Sequence, residues 1–261
     1  KTPQYVFKTN PSIDNKINQF IDSLPFKLTP DQLTAWQDIR HDLLSSIPTN
    51  RLLQGDVGSG KTIVALLSCL LAHYNKTVSL VIAPTSVLAN QHFATFKKLL
   101  PRLPIELLTA DHKIDVKKIK TNSIIIATHS AIYQKADLSK KVGLVVFDEQ
   151  HKFGVDQRNF LADLLSPPHS LTMTATPIPR TVGLTLMGNL SLSTINTLPK
   201  NRQVIKTFSV PAPKLSQCYE WLAKHIKNTG EQAFIVCPLI EESETLTSVK
   251  SVKAEFEKLQ Q

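Results

Sequence analysis

Three observations place this chain in the α/β class, with a doubly wound parallel sheet as its main domain. Continuously apolar, β-rich runs alternate with helical ones, and a glycine-rich turn at residues 55–62 joins one such strand to one such helix. A polar, proline-containing stretch, TLPKNRQ (197–203), then breaks the pattern before a shorter α/β alternation begins. Strands that are apolar on both faces need helices on both sides, which implies parallel strands and crossover helices. In such a sheet ligands gather at the carboxyl ends of the strands.

The elements follow in order. Residues 12–24 carry Ile13, Ile17, Phe20, Ile21 and Leu24 at helical spacing and close at Pro25, so 1–25 read as a connector. Within FKLTPDQ (26–32), Thr29 is an N-cap for a helix that opens at Pro30. RLLQ (51–54) is a short buried strand, and TIVALLSCLLAHY (62–74) is apolar all round, as a helix under a sheet is. Further strands are expected at 78–83, 105–110, 123–128, 143–149 and 170–176, with a helix over 85–100. This gives a first domain over 26–200. Beyond the break, strands at 204–210 and 233–240 and helices through Trp221 and over 244–261 start a second α/β domain, 201–261. Two strands are too few for an independent core, so that domain reads as truncated.

Bulk properties narrow the class. An apolar fraction of 42% suits a globular chain. No apolar run is long enough to span a bilayer, and the N-terminus has no signal-peptide core. Cys69, Cys218 and Cys237 are widely spaced among apolar residues and read as reduced thiols of a cytosolic protein. The net charge of +9 favours a polyanionic partner. It fits a generally lysine-rich protein equally well, since no lysine block exceeds two residues.

GDVGSGKT (55–62) fits the G-x-x-x-x-G-K-[ST] pattern of a polyphosphate-binding loop. Gly55, Gly58, Ser59 and Gly60 would let backbone N–H groups wrap phosphates, Lys61 would supply a mobile cation, and Thr62 a hydroxyl for Mg²⁺. LVVFDEQH (144–151) ends an apolar strand in two carboxylates. Asp148 could hold the metal and Glu149 polarise a water; alone, the pair reads as a polar strand end. LTMTATPIPRT (171–181) places the hydroxyls of Thr174 and Thr176, able to bond back to the DEQH segment, before a rigid loop at Pro177 and Pro179. Taken by itself, that is an ordinary proline turn. The Gln32 amide can donate and accept at once, matching an adenine edge, or it is a surface helix residue.

Together with APTSVLANQHF (83–93) and ATHSAIY (127–133), these segments fall in the order of superfamily 2 helicase motifs. PFKLTPDQ, DEQHKFGVDQR and TATPIPRT resemble the RecG family of bacterial branched-DNA translocases, over about residues 12–244. The transcription-repair coupling factor shares TPIPRT but usually carries glutamate-glutamine where this chain has Gln150 and His151. The resemblance implies a RecA-like P-loop NTPase domain, ATP and Mg²⁺ as cofactors, and forked or branched DNA as partner. It also implies a cytoplasmic, monomeric bacterial enzyme that remodels stalled forks. Gln32 would read adenine, Gln150 and His151 would relay nucleotide state to Thr174–Thr176, and Pro84, Thr85, Thr128 and His129 would meet the DNA backbone. Arg158 and Arg180 would be interdomain or DNA contacts, or surface ion pairs. The rival classes are a nucleotide-gated binding module, which has no need of Glu149, and a P-loop kinase, which TATPIPR disfavours. Family members carry a wedge domain upstream and a γ-phosphate arginine in the second motor domain. The 261 residues are therefore expected to be a piece of such an enzyme, with hydrolysis near background on their own.

Overall fold

The structure, a computed structural model, describes residues 6–115, 118–132, 142–148, 167–176, 190–197, 205–238 and 251–260. The chain divides into two compact units, Lys1–Arg202 and Gln203–Gln261. Among the described residues no helix is long and apolar enough to cross a membrane.

Among the described residues the first unit has seven strands: β1 (Asn50–Gly55), β2 (Val78–Ala83), β3 (Ile105–Leu108), β4 (Ile124–Thr128), β5 (Val142–Asp148), β6 (His169–Thr174) and β7 (Ser191–Ile195). They pair in the order β3-β4-β2-β5-β6-β1-β7, every pair parallel. Among the described residues the helices of this unit are α1 (Pro11–Asp22), α2 (Pro30–Leu43), α3 (Lys61–Tyr74), α4 (Ser86–Leu99) and the short α5 (His129–Ile132). β2, β4 and β6 are buried along their whole length, which explains the mainly apolar sequences of β2 and β4; in β6, HSLTMT, the buried positions include small hydroxyls and His169.

Two apolar clusters lie on opposite faces of the sheet, and strand periodicity sorts residues between them. Val81, Ala83, Ile124, Ile126, Leu144 and Val146 share a cluster with α1, α2, α3 and α4. Val78, Leu80, Ile82, Ile125, Ala127 and Val145 face the other way, against Ile119 and Ala131. Ile63 through Ala72 of α3 are all buried, between the sheet and helices α1 and α2. Each leucine removed from water there contributes about 1.5–3 kcal/mol.

Polar contacts fix the helices at the other edge. The Arg51 guanidinium on β1 donates to Asp42 of α2 at 2.7 Å and to Ser193 of β7 at 2.7 Å. Ser193 in turn donates to Asp38 at 2.8 Å. β7 itself is absent from the sequence expectation. Its run SLSTI is half polar and, among the described residues, it pairs only with β1, so it lacks the apolar signature of the inner strands.

The second unit departs from expectation. Helix α6 (Leu215–Thr229) forms around Trp221 and ends at Gly230, with φ 71°, and α7 (Val252–Gln260) follows. The described parts of the two expected strands, 205–210 and 233–238, have no regular secondary structure. Phe234 and Val236 are about nine-tenths exposed. A strand exists only through pairing of its backbone groups, and no partner strand is present for them among the described residues of this unit.

Candidate functional site

The loop from β1 to α3 is shaped by two left-handed glycines. Gly58 has φ 78° and Gly60, the N-cap of α3, has φ 85°. A side chain at either would be strained. At Gly60 a Cβ would also lie 2.2 Å from Nε2 of Gln32, whereas Gly58 faces open space. Ser59 is fully buried, and its Oγ has no hydrogen-bond partner among the described residues. Lys61, in the first turn of α3, folds back over the loop and donates from Nζ to the carbonyls of Gly55 at 2.6 Å and Asp56 at 3.1 Å. Thr62 follows it, half-buried. Backbone N–H groups at a helix start, an available hydroxyl and a tethered ammonium make a concavity suited to a polyphosphate.

The start of α2 closes one side of this loop. Thr29 caps the helix through Oγ1, and the Gln32 side-chain carbonyl accepts from the Thr29 N–H at 2.9 Å, completing a reciprocal capping box. The Gln32 amide then donates to the Ser59 carbonyl at 2.7 Å. Gln32 is thus buried and clasped to the phosphate loop, and not the surface residue that its helix position allowed. One lone pair and one N–H of its amide remain for a ligand edge. Beside it opens a cavity of about 380 Å³ lined by Phe26, Lys27, Thr29, Gln32, Ile63 and Leu66, among others. Its walls are mainly apolar, with room for a flat ring.

The other predicted groups lie at the carboxyl ends of their strands. Asp148 ends β5, in register with Met173 of β6, and Thr174 ends β6 beside Gln54 of β1. Asp148 and the loop after β1 are therefore two strand spacings apart, about 10 Å. The Oδ2 of Asp148 is 2.6 Å from Nε2 of His92 on α4. Thr174 and Thr176 hydroxyls bond to each other at 2.9 Å, and the Thr176 N–H donates to Thr174 Oγ1 at 3.2 Å. Glu149, Gln150 and His151, the expected partners of these hydroxyls, lie outside the described residues, as do Arg158 and Arg180. Pro84 is half-buried after β2, and exposed Thr85 caps α4 by accepting from the Leu88 N–H at 3.3 Å. Thr128 ends β4 with its hydroxyl buried and without a hydrogen-bond partner among the described residues, and His129 begins α5.

Two residues with evident roles carried no assignment from sequence. His92 sits in a motif segment, on the buried face of α4 with Ala89 and Phe96. A polar residue in an otherwise apolar helical stripe was the available signal. Asp31 accepts from the N–H groups of Asn196 and Thr197 and from the Thr197 hydroxyl, at 2.7–2.9 Å. Those three donors, the Thr197 N–H foremost, hold its carboxyl below the usual range. No sequence pattern announces a contact across 165 residues.

Comparison with known proteins gives a consistent result. Residues 29–184 match the DEAD/DEAH box helicase family. The chain is 40% identical over 257 residues to the ATP-dependent DNA helicase RecG of Thermotoga maritima, covering 95% of this chain and 33% of that protein. It is also 40% identical over 268 residues to RecG of Staphylococcus epidermidis, covering 100% of this chain and 39% of that one. A solved structure of RecG bound to a three-way DNA junction aligns with a TM-score of 0.74 at 34% identity, over 93% of this chain and 34% of its own. The chain therefore spans roughly a third of the length of the curated relatives it matches.

Proposed function

This chain belongs to the DEAD/DEAH box helicase family, and from that premise we propose that it is the nucleotide-binding motor domain of a RecG-type, ATP-dependent DNA helicase acting on branched DNA. One observation carries the proposal. The glycine loop, with Lys61 folded over it, and the Asp148 carboxylate stand at the same edge of one parallel sheet, two strands apart.

ATP fits this arrangement as substrate. The loop N–H groups receive the phosphates, and Lys61 exchanges the carbonyls of Gly55 and Asp56 for phosphate oxygens. The base enters the cavity beside Phe26, with the remaining Gln32 donor and acceptor at its edge. Thr62 and Asp148 are hard oxygen donors suited to Mg²⁺, which needs only one or two protein ligands besides phosphate. When bound, Mg²⁺ neutralises charge on the transferring phosphoryl group. Glu149, next in sequence, is proposed to orient the attacking water, with Gln150 and His151 passing nucleotide state to Thr174 and Thr176. At the same edge, Pro84, Thr85, Thr128 and His129 are proposed to meet phosphates of a DNA backbone, contacts that position without reading sequence. Arg158 and Arg180 are assigned to the DNA or to a second motor domain. A bacterial cytoplasmic location and remodelling of stalled forks follow from the RecG-type reading.

The test is ATP turnover by the intact protein, with forked DNA and with plain duplex, in wild type and Lys61→Ala. Preferential stimulation by the fork is expected. Loss of the preorganised cation should lower turnover by about 10²–10³. Wild-type turnover by Lys61→Ala would refute the phosphate-loop assignment, and equal stimulation by both DNAs would refute the branched-DNA assignment.

A further inference from the structure

We infer that His92 is a positioning residue for Asp148, holding its carboxylate in the orientation from which it engages a divalent cation. The inference rests on the reading of Asp148 as a cation-holding group given above. His92 Nε2 and Asp148 Oδ2 are 2.6 Å apart, and the side chains are only 10% and 13% exposed. A hydrogen bond to an ionised oxygen, shielded from water, is among the stronger ones a protein makes.

The partners come from separate elements. Asp148 is the last residue of β5. His92 lies in the middle of α4, which packs on β2, β3 and β4. The imidazole is itself fixed: it is buried beside Ala89, with the Phe96 ring edge-on at 6.5 Å between centroids. It therefore acts as a rigid arm. A carboxylate offers about four lone-pair sites, so His92 can occupy one and leave others for a cation or its water. Oxygen ligands of metals are commonly oriented by such partners, whose loss typically costs about 10–100-fold in metal affinity or activity. The pairing also ties Asp148 to the helix capped by Thr85, seven residues or about 10 Å away along the axis.

The test measures Mn²⁺ binding by electron paramagnetic resonance, on protein saturated with ADP. His92→Phe keeps a ring of similar volume against Phe96 and removes the donor. Mn²⁺ affinity should fall by about 10-fold. His92→Gln, whose amide nitrogen can again donate to Oδ2, should recover most of the loss, and Asp148→Ala should bind at least as weakly as His92→Phe. Thermal unfolding is recorded for every variant. A histidine that merely fills space would leave Mn²⁺ affinity at the wild-type level in His92→Phe, whatever happened to Tm, and that result overturns the inference. So does a His92→Gln variant as weak as His92→Phe. Wild-type affinity in Asp148→Ala would instead overturn the cation-site reading itself, and the role of His92 with it.

Discussion

At the scale of single residues, Gly60 shows how tightly the loop is specified. Both it and Gly58 occupy the left-handed region, a conformation that costs an L-residue about 1–2 kcal/mol. Only at Gly60 would an added methyl also collide with Gln32. Gly58→Ala is expected to lower stability by that strain alone. Gly60→Ala should cost more and weaken nucleotide binding, because Gln32 must leave the Ser59 carbonyl. In a Gln32→Ala background the extra penalty at Gly60 should largely vanish, a non-additivity that thermal unfolding of the four proteins measures. Equal costs in both backgrounds would show that the clasp is unimportant. Lys61 and Thr62 stood out as candidates because they lie within one short pattern, and Asp148 because it ends an apolar run, so that local sequence alone suggested chemistry. The bond from Gln32 to Ser59 spans 27 residues, and only the folded sheet brings its ends together.

Elements were legible to the extent that burial wrote itself into their sequences. β2, β4, β5 and α3 are buried nearly throughout, and predominantly apolar runs marked them; β6, HSLTMT, is equally buried although four of its six residues are polar. β7 escaped because an edge strand needs only one good face. Residues 205–210 and 233–238 have apolar strand-like runs but no described partner in their own unit, and composition cannot supply one. The end of β7 is held from outside, by Asp31. That carboxyl has a lowered pKa in the fold, so its contribution is complete above the ordinary value of 3.8 and is lost as pH falls through the lower folded value. Hydrogen-exchange protection of the Asn196 and Thr197 amides should therefore persist at pH 5 and collapse in stronger acid, at the lowered pKa. Asp31→Ala should abolish the protection at every pH. Unchanged protection in that variant would show that the three bonds do not hold the strand end.

On the scale of the whole domain, the sheet of the first unit gathers groups from distant parts of the chain at the carboxyl ends of its strands, while the opposite ends carry none of the predicted site residues among those described. That division links the fold class to the proposed site: most of the chemically loaded motifs follow an apolar run, and parallel strands bring such junctions to one side. The same architecture sets a condition on chemistry at its centre. Cys69 lies fully buried on α3, and burial pushes its thiol up to about 12. Thiolate is the form that reacts, so alkylating reagents at neutral pH should consume Cys69 only when the layer over the sheet separates. The residue is thus a built-in clock for domain opening. Mass-resolved labelling with iodoacetamide should modify Cys218 and Cys237, both part-exposed, well before Cys69. Saturating ATP should slow the Cys69 reaction while leaving the other two unchanged, since a ligand bound only by the folded state reduces the open population by the factor 1 + [L]/Kd. Labelling of all three at one rate would mean that the interior opens freely. A rate at Cys69 that tracks nucleotide concentration would turn a thiol with no part in the chemistry into a measure of how firmly the domain closes around its substrate.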